Sequence, residues 1–160
     1  MPERTTPPPI LIDPSLTYTA TVHTDRGDFS IRLNPGAAPV TVNNFVFLAK
    51  NGFYAGLIFH RVVPGFVVQG GDPTGTGRGG PGYTLPDETN KSPWVEGSVG
   101  MASNPATGVN GSQFFVLTGD APSLATSGVY NHFGNVTQGI DVVTSIQQGD
   151  HIAGLEVAVG

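Results

Sequence analysis

Apolar and polar residues alternate from Tyr18 to His23 and again from Asp28 to Leu33, with Asp25-Arg26-Gly27 between the runs. Period-two alternation places every second side chain on one face of a strand, and a short polar link between two such runs predicts a β-hairpin. After a Pro/Gly loop over Asn34 to Pro39 the period changes. Val42, Phe45, Val46 and Ala49 recur at helical spacing and Asn51-Gly52 closes the run, so an amphipathic helix with a glycine cap is expected there. The stretch from Phe59 to Asp72, FHRVVPGFVVQGGD, organises the rest of the chain. Its short apolar runs flank Pro64-Gly65, a pair suited to the two central positions of a tight turn, and this predicts a second hairpin. Phe59, Arg61 and Val63 share one face by alternation, and so do Val67 and Gln69.

Gly70 to Gly82 has no periodicity and reads as a long loop. Gly97 to Ala102 and Ser112 to Thr118 read as strands, separated by SNPATGVNG, whose Asn-Pro and Asn-Gly pairs favour turns. Residues 119 to 129 form a loop with one helical turn, Tyr130 to Val136 a strand, Ile140 to Gln147 a short helix with Ile140, Val143 and Ile146 on one side, and Ile152 to Val159 a last strand. The order is mainly β with two helices. Closing such a sheet into a barrel removes its edges, and two helices can cover the open ends. Residues 1 to 14, with a triple proline and few core-forming groups, read as an extended Pro-rich arm ahead of one domain at 15–160.

Composition narrows the function. A chain of 160 residues is one domain in size and can bury roughly 70% of its unfolded surface. Charged residues make up 12% and the net charge is −5, so nothing supplies the basic field that a phosphate backbone requires and nucleic acid is not an expected partner. The 23 glycines and 14 prolines fall between periodic segments, which implies many turns and short strands. Cysteine is absent, excluding a disulfide scaffold and a thiolate nucleophile. No apolar run approaches the length of a membrane span and no signal-peptide core opens the chain. The expectation is a soluble cytoplasmic monomer without membrane partners; the alternative is an extracytoplasmic one, should the arm be the stub of an export segment.

Candidate chemistry is sparse. Gly75 to Gly80 matches G-x-G-x-x-G, but Pro81-Gly82 and Tyr83-Thr84-Leu85-Pro86 cannot open the helix that such a phosphate cradle needs. Ser112 lacks the G-x-S-x-G elbow of a hydrolase and reads as a turn serine. His23, His60, His132 and His151 are scattered without metal-ligand spacing, and His60 reads as a buried, hydrogen-bonded structural histidine. Arg61 alone fits a structural ion pair with Asp72 or Asp87. Together with Gln69, the Gln113-Phe114-Phe115 segment and Phe66, it instead suggests a polar clamp over an apolar floor. With no nucleophile, metal or cofactor loop, such a site suits a reaction in which no bond is made or broken.

Phe59 to Asp72, with Met101-Ala102-Ser103 and Asn110-Gly111-Ser112-Gln113-Phe114-Phe115, closely resembles the cyclophilin family of peptidyl-prolyl cis-trans isomerases, from about Tyr18 to Val159. The resemblance implies a closed eight-stranded antiparallel β-barrel capped by two α-helices, isomerisation of X-Pro bonds in peptides and folding proteins, and no cofactor or metal. Carried over by position, it implies catalytic roles for Arg61 and Gln69. It implies substrate contacts from Phe66, Val67, Ala102, Ser103, Gln113, Phe115, Leu124 and Tyr130, with His60 and Asn110 supporting from behind. Val67, Ser103 and Tyr130 depart from the methionine, asparagine and histidine common in the family. Ser123 stands where many members carry a tryptophan, and Trp94 lies too far upstream to substitute, so weak cyclosporin binding is expected. The rival reading is a proline-peptide binding or chaperone module without turnover, and a hydrolase using Ser112 is a distant third.

Overall fold

The computed structural model describes residues 4–160. Strands β1 (Tyr18–Thr24) and β2 (Gly27–Leu33) form the first hairpin, paired from Tyr18 with Leu33 to Thr24 with Gly27. Helix α1 (Pro39–Lys50) follows, then β3 (Arg61–Val63), β4 (Val67–Gly70) and the two-residue β5 (Thr84–Leu85). Next come β6 (Ser98–Asn104), β7 (Gly108–Leu117), the single turn α2 (Leu124–Ser127), β8 (His132–Gln138), α3 (Ile140–Ser145) and β9 (Ile152–Val159). The strands run β3-β4-β7-β6-β8-β2-β1-β9, each pair antiparallel, with β5 added to the start of β7.

The expected barrel is present, but its closure is weaker than expected. The end strands β3 and β9 share no ladder. The chain just before β3 meets β9 at one isolated bridge, Ile58 to His151, helped by backbone bonds from Phe59 N to Asp150 O (2.9 Å) and Ile152 N to Leu57 O (2.7 Å). From Arg61 onward β3 pairs only with β4, which leaves this edge free to carry the site. The other differences are local. β6 and β7 run on to a tight turn at residues 105–107, because Asn104 Oδ1 accepts from Ala106 N (2.8 Å) and Asn104 O from Thr107 N (3.2 Å). Asn110-Gly111 therefore lies within β7 instead of in a turn. β8 starts two residues later than the alternation suggested, and Ile146 is already extended at the end of α3.

The barrel interior takes the alternate residues of each strand: Ala20 and Val22, Phe29 and Ile31, Val68, Val99 and Met101, Phe114 and Val116 are all buried. Helix α1 closes one end, and Phe45 on it reaches Tyr54, Phe114 and Phe133 at centroid separations of 5.3, 5.6 and 5.1 Å. Pro39 opens this helix, where its missing N–H costs nothing. No side chain at its start caps it. The Glu88 carboxylate, far along the chain, accepts from Val40 N (3.0 Å) and Thr41 N (2.7 Å). Two asparagines are buried on the helix. Asn44 Nδ2 donates to Gly111 O at 2.7 Å, tying the helix to the strand that carries the site. Asn43 Oδ1 accepts from Leu11 N (2.9 Å), and its Nδ2 donates to Pro9 O (3.0 Å), so the arm lies along α1.

Candidate active site

The second hairpin forms as its sequence dictates. Gly65 sits at φ +74, a value open to glycine at the third position of a type II turn, and Phe66 N closes the turn on Val63 O at 3.0 Å. The resulting register sets Arg61 opposite Gln69 and Val63 opposite Val67. Across the next ladders Gln69 faces Phe115, and Phe115 faces Gly100. Arg61, Gln69, Phe115 and Gly100 thus form one row across four strands. Their neighbours Val68, Phe114, Val116 and Met101 point into the core, so this row lies on the outer face of the barrel. A second apolar cluster covers that outer face: Val67, Trp94, Phe115, Leu117 and Ala121, with Phe66, Leu124 and Tyr130 packed against it. Both faces of β4 and β7 are apolar here, which is why simple alternation fades in the sequence.

A hollow of about 470 Å³, counting its open mouth, sits on this cluster. Its walls are Arg61, Phe66, Val67, Gln69, Ala102, Ser103, Phe115, Leu124 and Tyr130. Every residue expected to touch substrate is in this wall except Gln113, which is buried behind Gln69. Gln69 Nε2 donates to Gln113 Oε1 (3.1 Å), and Gln113 Nε2 donates to Gly79 O (2.8 Å). Asn110 Nδ2 also donates to Gly79 O (3.0 Å), while its Oδ1 accepts from Ser112 N and Gln113 N. The amide chain fixes Gln69 with its carbonyl oxygen unspent among the described residues. On β6 the register breaks between Met101 and Ser103, so Ala102 has no partner on β7 at the edge of the hollow.

Arg61 is exposed and makes no ion pair or side-chain hydrogen bond among the described residues. Its guanidinium carbon lies 5.8 Å from the centre of the Phe66 ring, close enough for a cation–π attraction. Neither carboxylate considered for it is free. Asp87 accepts from Thr89 N and Oγ1. Asp72 is buried at the centre of the long loop, where its two oxygens accept from the backbone N–H groups of Thr74, Thr76, Gly77 and Gly79 and from Thr74 Oγ1. Burial would raise its pKa, but these donors outweigh burial and hold it at about 2. The G-x-G-x-x-G segment is therefore a nest for the protein's own carboxylate.

Two other expectations need correction, and Trp94 takes a place not anticipated. His60 is only partly buried, its Nδ1 has no hydrogen-bond partner, and burial lowers its pKa. It is not the hydrogen-bonded core histidine anticipated. Ser112 is a buried strand residue, not a turn serine, and its Oγ donates to Gly71 O at 2.7 Å. Trp94 does not line the hollow, but it backs Phe115, with ring centroids 5.6 Å apart and planes at 29°. The signal for Trp94 was indirect: a glycine within a strand marks the close approach of another group, and Gly100 faces Phe115.

Comparison with known proteins gives concordant matches. The family described as "Cyclophilin type peptidyl-prolyl cis-trans isomerase/CLD" matches residues 19–157. The chain is 47% identical over 128 residues to peptidyl-prolyl cis-trans isomerase B of Bacillus subtilis, covering 79% of this chain and 87% of that one. It is 42% identical over 140 residues to a peptidyl-prolyl cis-trans isomerase of Synechococcus elongatus, covering 86% and 94%. A crystal structure of a Cryptosporidium parvum cyclophilin-type isomerase superposes with a TM-score of 0.79 at 30% identity, covering 89% of this chain and 98% of that one. A second structure of that protein, obtained in the presence of the dipeptide Ala-Pro, gives a TM-score of 0.74.

Proposed function

This chain belongs to the cyclophilin-type peptidyl-prolyl cis-trans isomerase family, and from that premise we propose how its hollow accelerates rotation about X-Pro bonds. Residues 15–160 form the isomerase domain and residues 1–14 an arm, of which 1–3 lie outside the described residues. The substrates are proline-containing peptides and folding chains. The proline ring enters the hollow between Phe66, Val67, Phe115 and Leu124, beside Tyr130. Gln69 and the backbone at Ala102-Ser103 hold the flanking peptide.

Amide resonance sets a barrier of ~18–20 kcal/mol, whereas the two X-Pro isomers differ by only about 0.5–1 kcal/mol. Catalysis must weaken the resonance. As the C–N bond twists, the prolyl nitrogen becomes pyramidal and regains a lone pair that the planar forms lack. Arg61 donates a hydrogen bond to that lone pair. The contact exists only in the twisted state, which is the condition for raising the rate instead of merely tightening binding. A charged hydrogen bond worth ~1.5–3 kcal/mol supplies roughly one to two decades of rate, at about 1.4 kcal/mol per decade. The rest comes from holding the half-rotated bond in an apolar hollow.

The observation that carries this reading is Arg61 at the wall of the hollow with no carboxylate bound to it among the described residues. Arg61→Ala should keep the fold and lose most activity. Arg61→Lys should recover little, because an ammonium cannot reproduce the planar fork. The check is kcat/KM on an X-Pro peptide with circular dichroism as the folding control. Equal kcat/KM for wild type and Arg61→Ala would overturn the assignment, and a wild type that binds the peptide without accelerating exchange would instead mark a non-catalytic proline-binding module.

A further inference from the structure

Trp94 is buried, yet it belongs to the outer apolar cluster and not to the barrel core. Its ring lies nearly parallel to Phe115 at 5.6 Å, meets Tyr130 edge-on at 6.3 Å and 83°, and rests on His132 at 4.7 Å. Phe115 and Tyr130 in turn meet edge-on at 5.9 Å and 89°. Phe115 and Tyr130 are walls of the hollow; Trp94 and His132 stand behind them. Space for the indole comes from Gly100, where a Cβ would lie 2.7 Å from Trp94 Cη2 and 2.8 Å from Phe115 Cζ. Both separations are far inside van der Waals contact. Gly100 therefore lets the tips of both rings approach the backbone of β6, and His132, whose ring nitrogens make no hydrogen bond of good geometry, backs the indole as a packing surface.

We infer that Trp94 is a positioning residue for isomerisation: it sets the planes of Phe115 and Tyr130, and through them the shape of the wall that receives the proline ring. The inference deepens the function proposed above and rests on the hollow being the proline site. Trp94 reaches neither Arg61 nor the rotating bond, so its contribution belongs to binding shared by the ground and twisted states. Such a contribution moves KM and leaves kcat in place.

The test is steady-state kinetics on an X-Pro peptide for wild type, Trp94→Phe, Trp94→Leu and Gly100→Ala, with melting temperatures measured alongside. An aromatic pair contributes enough for about a two- to tenfold rise in KM when it is lost. Trp94→Leu should show that rise with kcat within about twofold of wild type, and Trp94→Phe should fall between the two. Gly100→Ala, which keeps the indole but pushes on both rings, should raise KM in the same way, and it decides the matter if Trp94→Leu does not fold. Unchanged KM in folded Trp94→Leu or folded Gly100→Ala would overturn the inference, as would a fall in kcat at constant KM. The chain has a single tryptophan, so its emission reports directly on this wall. Should the wild type prove inactive, the proposed function fails separately, and titration with the same peptide still decides: a saturable change in emission supports the inference and its absence overturns it.

Discussion

Gln69 and Arg61 face each other across the hairpin but are held differently. Gln69 is locked through Gln113 to Gly79, whereas among the described residues the Arg61 guanidinium has no hydrogen-bond partner and lies near the Phe66 ring. A fixed amide and a free charged donor fit the roles proposed for them, one gripping the peptide and the other following a rotating nitrogen. The histidines make a separate, testable contrast in stability. Burial lowers the pKa of His132, partly offset by the carbonyls of Pro93 and of His132 itself. The unfolded chain therefore binds a proton more readily, and stability falls as pH drops from about 6.5 toward the folded value. His60 acts in the same sense, again through burial. His23 has the opposite sign, because Asp28 at 2.8 Å and Glu156 at 2.6 Å raise its pKa. Its stabilisation is complete below about 6.5 and is lost as pH rises through the folded value. Melting temperatures from pH 5 to 8 should show His132→Val losing part of the acid-side decline and His23→Gln losing part of the alkaline-side decline. Parallel profiles for both variants and wild type would contradict this.

At the scale of elements, two features depend on partners far apart in sequence. The loop after β4 is wound around Asp72, and its Gly79 carbonyl is the anchor for Gln113 and Asn110. With a folded pKa of about 2 against an ordinary 3.8, the Asp72 contribution is present above about pH 4 and is lost as pH falls through about 2. Asp72→Asn should cost about 1–3 kcal/mol at neutral pH, flatten the acid limb of the stability curve and lower kcat/KM by loosening Gly79. Urea unfolding at a series of pH values, with activity at pH 7, checks all three. Helix α1 is capped by Glu88 across 47 positions, and Glu88→Ala should cost about 0.5–2 kcal/mol, read as a lowered melting temperature. The hairpin around Pro64-Gly65 was legible in the sequence because turn chemistry and alternation act locally. The nest around Asp72 resembled a phosphate loop because the same glycines serve either anion. The Glu88 cap and the two-residue β5 leave no local pattern at all.

For the whole molecule, the barrel supplies two apolar surfaces from one sheet: an inner core that holds the fold and an outer patch that carries the hollow. The family signature made the wall residues and Gln113 legible, while the setting of Gln113 behind Gln69 and of Trp94 behind Phe115 emerges only from register and packing. Residues 8–12 also pack on the folded body, since Pro8 is buried and Asn43 serves Leu11, Ile12 and Pro9. Asn43→Ala should release them at a cost of about 1–3 kcal/mol, seen as faster amide exchange at Leu11 and Ile12; unchanged exchange there would show that the arm is held by other contacts. The function proposed above sets Arg61 beside a twisted imide. The most direct test is the cis–trans exchange rate of an X-Pro peptide while bound, measured by exchange NMR at saturating enzyme for wild type and Arg61→Ala. Loss of one charged hydrogen bond in the twisted state predicts a bound-state rate lower by roughly ten- to a hundredfold, with peptide affinity much less affected. Equal bound-state rates, or a loss confined to affinity, would contradict the account.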